Sequence, residues 1–122
     1  MVIKKSIITE IKSIIESHKN GITINLNGEI DIKNKGFYVS ITNNTFKEVG
    51  LKEVYNLLNK ATEYQKENNI KTYLGAWFSD NSLKWYIDLS LWVETKKEAL
   101  SIARNFNQEA IFNIQKLESV YL

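Results

Sequence analysis

Ten consecutive residues, LKWYIDLSLW from Leu83 to Trp92, alternate so regularly that they fit one regular structure, a β-strand. Leu83, Trp85, Ile87, Leu89 and Leu91 recur at every second position and so share one face, which is apolar enough to be core. The opposite face carries Lys84, Tyr86, Asp88, Ser90 and Trp92. Large rings on a strand's non-core side indicate a face that touches something. The preceding segment, KTYLGAWF, and the turn residues SDNS predict a hairpin with this strand. Pairing Ser79 with Ser82 sets Phe78 opposite Leu83, Ala76 opposite Trp85 and Leu74 opposite Ile87 on the apolar face. The same register sets Trp77 opposite Lys84, Gly75 opposite Tyr86 and Tyr73 opposite Asp88 on the other face. Gly75, having no side chain, leaves a gap there that a flat group could occupy.

The flanking segments supply helices and further strands. Ile7, Ile8, Ile11, Ile14 and Ile15 recur at helical spacing and predict an amphipathic helix over about 6–19, stopped at Asn20-Gly21. ITINLN, IDIK and GFYVSIT read as strands of a small antiparallel meander turning at Asn27-Gly28. A second helix is expected over about 50–68, with Leu51, Val54, Tyr55, Leu58, Ala61 and Thr62 facing inward. Thr95-Lys96-Lys97-Glu98 is a capping box opening a third helix to about Asn107, with Ala99, Ile102, Ala103 and Phe106 facing the core. EAIFNI is a final strand, leading through a turn at residues 116–118 to the tail SVYL. The order αβββαββαβ, with antiparallel hairpins, defines an α+β fold: a single domain over residues 1–122, with small antiparallel sheets and three helices.

Composition removes several functions. With one histidine and no cysteine, a thiolate metal site and a disulfide framework are ruled out, and a catalytic triad would have to use His18, which sits where a cation favours a helix C-terminus. Neither common glycine-rich phosphate loop occurs. No metal or cofactor is therefore expected. A net charge of +2 is too small to announce DNA, RNA or an acidic membrane as a partner. No run approaches a membrane span or the apolar core of a signal peptide, and the absence of cysteine suits a reducing cytoplasm. Fifteen lysines stand against one arginine, so Arg104 is singled out as a residue whose planar fork could serve a phosphate or a ring.

The candidate site gathers around the second face of the hairpin. Trp77 and Tyr86 supply rings, Asp88 a carboxylate, Arg104 a guanidinium, and Asn107 and Gln108 amides. Together they are the groups that grip a base, a ribose and a phosphate. Three roles stay open for Asp88: acceptor for a ribose hydroxyl, ion-pair partner of Lys84 or Arg104, or general base. Three covers stay open for the aromatic face: the helix over 50–68, a second copy of the chain, or a planar ligand.

The segment GAWFSDNSLKWYIDLSLWVETKKEALSIARNFNQEAIFNI, residues 75–114, resembles a family of small phage proteins, the anti-Thoeris sponges. The likeness lies in a G-x-W strand, a W-Y-x-D strand, a capped helix with E-A-L-x-x-A-R-x-x-N-Q, and A-I-F. It implies an anti-defence protein of the host bacterial cytoplasm that binds a cyclic ADP-ribose isomer made by TIR enzymes and sequesters it without cleavage. It further implies a dimer or higher homo-oligomer with pockets at subunit boundaries, adenine lying between Trp77 and Arg104, and Asp88 and Asn107 near ribose and base. The chain offers a diphosphate one guanidinium, with Lys84, Lys96 or Lys97 and the amides near Thr95 as possible helpers. The alternative from another class is a protein-binding inhibitor of a host defence enzyme, with Trp77, Tyr86 and Trp92 as its hot spot. A nucleotide-degrading enzyme with Asp88 as base and a self-associating structural component complete the field.

Overall fold

A computed structural model of the chain describes residues 3–122. Among these residues, three helices and seven strands follow one another as α1 (Lys5–Glu16), β1 (Ile22–Asn25), β2 (Phe37–Ser40), β3 (Thr45–Phe46), α2 (Leu51–Asn68), β4 (Thr72–Ser79), β5 (Lys84–Val93), α3 (Lys96–Asn105), β6 (Ala110–Asn113) and β7 (Glu118–Tyr121). The strands form one antiparallel sheet in the order β1-β4-β5-β2-β6-β7, with β3 also against β5. This is the α+β architecture expected.

All three helices cover the same side of the sheet. The odd-numbered residues of β5 from Trp85 to Leu91 are buried there with Leu74 and Ala76 of β4 and Ile24 of β1, against Ile8, Ile11 and Ile15 of α1 and Val54, Leu57, Leu58 and Ala61 of α2. A second cluster joins Ala99 and Ala103 of α3 to Val39, Val93 and Ile111. The helical stripe of α2 is rotated from expectation: Leu57 is buried, while Leu51 and Tyr55 are exposed. Because α2 packs on the apolar side of the sheet, it does not cover the aromatic face.

The strand β5 is central, and its register corrects two expectations. Ser79 pairs with Lys84, so Phe78 meets Trp85, Ala76 meets Ile87, Trp77 meets Tyr86 and Gly75 meets Asp88, two residues along from the two-residue turn. The loop contains four residues because Leu83 takes a left-handed φ of 56° and donates its N–H to the Ser79 carbonyl at 2.8 Å. Leu83 is consequently exposed rather than in the core. A slip of two keeps each side chain on its expected face, since the side-chain period is also two.

The expected meander over ITINLN, IDIK and GFYVSIT is not formed. β2 crosses to the far side of β5, and the IDIK segment makes only a single bridge, Ile30 to Ile24, with Ile32 exposed. The chain leading into β2 then passes against Trp92, whose indole Nε1 donates to the Lys35 carbonyl at 2.9 Å. Gly36, at φ +91°, makes that approach possible, because a Cβ there would lie 2.5 Å from the indole nitrogen. The tail forms a seventh strand, β7, in a hairpin with β6.

Candidate functional site

The alternation that buries one set of side chains in β4 and β5 turns the other set onto the helix-free side of the sheet. Trp77 and Tyr86, directly opposite each other, stack with ring centroids 4.7 Å apart and planes 11° from parallel. Tyr86 is half-buried and Trp77 remains 48 % exposed. Next along is Asp88 opposite Gly75, then Ser90 opposite Tyr73, then Trp92 opposite Tyr38.

Asp88 owes its surroundings to a β-bulge. Ser40 pairs with Ser90, the Ile41 N–H bonds to the Leu89 carbonyl, the Asn44 carbonyl accepts from the Ile87 N–H, and Thr45 pairs with Tyr86. Two residues, Thr42 and Asn43, thus stand against one, Asp88. The irregularity turns donors onto the carboxylate: Oδ1 accepts from the Asn44 N–H at 2.7 Å and from the Thr42 hydroxyl at 3.2 Å. Oδ2 receives no hydrogen bond from the described residues, and among them neither ion pair includes Asp88. Burial pushes its pKa up to about 6, even though both donors favour the charged form.

A polar cluster closes the other end. Lys33 donates to Asp31 at 2.9 Å and to the Tyr73 hydroxyl at 3.2 Å, and its ammonium lies 5.2 Å and 5.4 Å from the centroids of Tyr73 and Trp92. Burial pulls the Lys33 pKa down, but the hydrogen bonds to Asp31 and Tyr73 outweigh it and leave the group above the usual lysine value. Tyr38 donates to the other Asp31 oxygen. Burial, reinforced by Asp31, holds the Tyr38 hydroxyl well above the usual phenol range.

Between these ends lies a cavity of about 960 Å³, large enough for a ligand of drug or dinucleotide size. Trp77, Asp88, Asn107 and Gln108 line it, joined by Tyr38, Ser90 and Phe112 from the sheet and by Tyr121 from β7. Tyr86 lies outside the lining, behind Trp77 in the stack. Arg104 is exposed on α3 and is not among the lining residues, so a single chain does not offer its guanidinium to the cavity. The ionisable carboxylates and ammonium that do line it are Asp31, Asp88, Glu109 and Lys33.

Lys33, Asp31, Tyr38 and the bulge residues Thr42 to Asn44 are missing from the sequence reading. The IDIK alternation could have drawn attention to Asp31 and Lys33, which share one side of that segment. Nothing in the sequence signals the bulge. A second, smaller cavity of about 350 Å³ lies by Asn25, Gln65, Asn69 and Lys71, but Gln65 already accepts the Thr72 N–H and no ring lines it.

No known family model matches the chain, and neither a curated protein nor a solved structure shows significant similarity to it. Among the described residues no helix is long and apolar enough to cross a membrane.

Proposed function

We propose that the protein is a non-catalytic capture protein that holds a cyclic ADP-ribose isomer on the open face of its sheet and so withdraws the signal of a bacterial TIR enzyme without cleaving it. The observation that carries this reading is the convergence of Trp77, Asp88, Asn107 and Gln108 on one cavity. An exposed indole backed by Tyr86 is a rigid stacking platform for a base, and stacking on such a ring contributes about 1–3 kcal/mol. Asp88 accepts hydroxyl donors, and the two amides can both donate and accept. Phosphate recognition falls to Lys33 and the amides, or, in a homo-oligomer, to the Arg104 of a second copy reaching the cavity mouth.

Calorimetry with TIR-derived cyclic ADP-ribose isomers tests the reading. The expected result is saturable binding at micromolar or lower concentration, with the ligand released intact on heating. No detectable heat across that range overturns it, and chromatographic products after incubation would point instead to an enzyme.

The charge of the lining favours a second reading. Three carboxylates against one lysine suit a cationic side chain better than a diphosphate. On that reading the protein inhibits a host defence enzyme, with Trp77 as the anchor and a partner Lys or Arg entering beside Asp88. Pull-down of one such enzyme, disrupted by Trp77→Ala, distinguishes it from capture of a nucleotide.

A further inference from the structure

Lys33 sits in a box suited to a cation. Its ammonium lies 5.2 Å from the centroid of Tyr73 and 5.4 Å from that of Trp92, and it donates to Asp31 Oδ1 at 2.9 Å and to the Tyr73 hydroxyl at 3.2 Å. Tyr38 packs edge-on against Tyr73 with centroids 6.3 Å apart and donates to Asp31 Oδ2. Rings from three strands, β2, β4 and β5, thus gather about the Asp31–Lys33 pair. The Asp31 side chain is only 10 % exposed, and among the described residues Lys33 is its one ion-pair partner. A buried carboxylate left unpaired is costly, so the box requires a cation in it.

The walls are built into the sheet, but the occupant is not. Lys33 belongs to a segment that is neither helix nor strand, between exposed Ile32 and Asn34. Its side chain is 29 % exposed and lines the large cavity together with Asp31 and Tyr38, whereas Tyr73 and Trp92 do not line it. Swinging the ammonium out therefore breaks no ladder hydrogen bond and opens the cavity onto the two rings. Asp31 stays in place, because its N–H is bonded to the Thr23 carbonyl at 2.8 Å. An ammonium is also a poor match to such walls. It is compact and strongly hydrated, while a guanidinium is planar, weakly hydrated, and stacks on a ring as it donates to a carboxylate.

We propose that this box is a subsite for a guanidinium borne by a ligand, and that Lys33 is its built-in occupant, an autoinhibitory contact that yields when the ligand enters. The incoming cation takes the place of Lys33 on Asp31 and stacks against Tyr73 and Trp92. Because Lys33 must leave first, the apparent affinity is reduced by the fraction of molecules in which the box is vacant. The subsite lies at the end of the cavity away from Trp77, and it requires neither nucleotide capture nor a contact beside Asp88.

The test titrates n-butylguanidinium, and its neutral isostere n-butylurea, into wild type and Lys33→Ala, with binding followed by calorimetry. Lys33→Ala should bind the guanidinium at least about tenfold more tightly than wild type, which corresponds to a box filled by Lys33 about nine-tenths of the time or more. The urea should bind neither protein, and adding Asp31→Asn to Lys33→Ala should abolish the guanidinium binding. A second measurement needs no variant: in wild type carrying carbon-13-labelled lysine, the ring-shifted ε-methylene resonance of Lys33 should move toward the free-lysine position as the guanidinium is added, and stay in place with the urea. Equal guanidinium affinity in wild type and Lys33→Ala, or equal binding of the urea, overturns the subsite. A Lys33 resonance that does not move throughout the wild-type titration overturns the autoinhibitory contact, also where Lys33→Ala fails to fold. A capped tripeptide with arginine at its centre separates the two sources of the group. Binding at least as tight as that of n-butylguanidinium assigns the subsite to a basic side chain of a polypeptide, and its exclusion assigns it to a free small guanidine; both outcomes support the subsite.

Discussion

Asp88 couples the site to stability. The native carboxyl keeps its proton up to about pH 6, whereas the unfolded chain releases it near the ordinary value of 3.8. Between those values the native state binds more protons than the unfolded state, so stability falls as pH rises through the window and is level above it. The total fall is on the order of 2 kcal/mol after allowance for solvent screening. Urea midpoints from about pH 4 to about pH 7 should show this slope in wild type and none in Asp88→Asn, which should be more stable at neutral pH by about 1–2 kcal/mol. A protein that gains stability when its site residue is neutralised is retaining a charge for binding. Trp77→Ala should cost little stability, about 0.5–1.5 kcal/mol for the lost stack, but should weaken cyclic ADP-ribose binding by about 1–3 kcal/mol in the same calorimeter. Arg104→Ala should leave binding by an isolated protomer unchanged. Weaker binding together with a shift in the size-exclusion profile would mean that the guanidinium enters the cavity of a neighbouring copy.

At the scale of elements, α3 is held by its first turn and one small-residue stripe. Thr95 accepts from the Glu98 N–H at 3.2 Å and its hydroxyl donates to the Glu98 carboxylate at 2.8 Å, so the cap residue is tied to Glu98 through its side chain. Thr95→Ala should cost about 1 kcal/mol in chemical denaturation. Since α3 leads directly into Asn107 and Gln108, the same substitution should also loosen that wall of the cavity. The Thr95 cap and the strand alternation were legible from residue types alone, because each depends on near neighbours. The face of the paired hairpin residues was legible for the same reason, Leu83 excepted, and of the six residues singled out as a site Trp77, Asp88, Asn107 and Gln108 line one cavity while Tyr86 and Arg104 do not. The register was not, because a left-handed Leu83 is an unusual choice that the Ser79 hydrogen bond decides. Neither was the crossing of β2 to β5, a long-range pairing that leaves Ile30 and Ile32 exposed despite their alternation. The bulge beside Asp88 arises from that crossing, which is why the donors that position the carboxylate were invisible locally.

For the whole molecule, a one-sided arrangement of helices separates the apolar interior from the open face. Leu58, fully buried between α2 and the sheet, lies far in role from the cavity, and Leu58→Ala should cost about 2–5 kcal/mol in stability with little direct effect on ligand contacts. Ligand binding should in turn stabilise the fold: at a hundredfold excess over Kd, a bound cyclic ADP-ribose isomer should add about 2.7 kcal/mol, visible as a higher melting temperature. An unchanged melt would mean that the compound does not bind the native state.

The division within β4 and β5 has a consequence for altering specificity. Every second position along these strands serves the interior, and the positions between, including 77, 86 and 88, point away from it. A randomised library restricted to those intervening positions would sample new recognition chemistry while each member inherits the same hydrophobic half, so folded variants with different targets should be common in it.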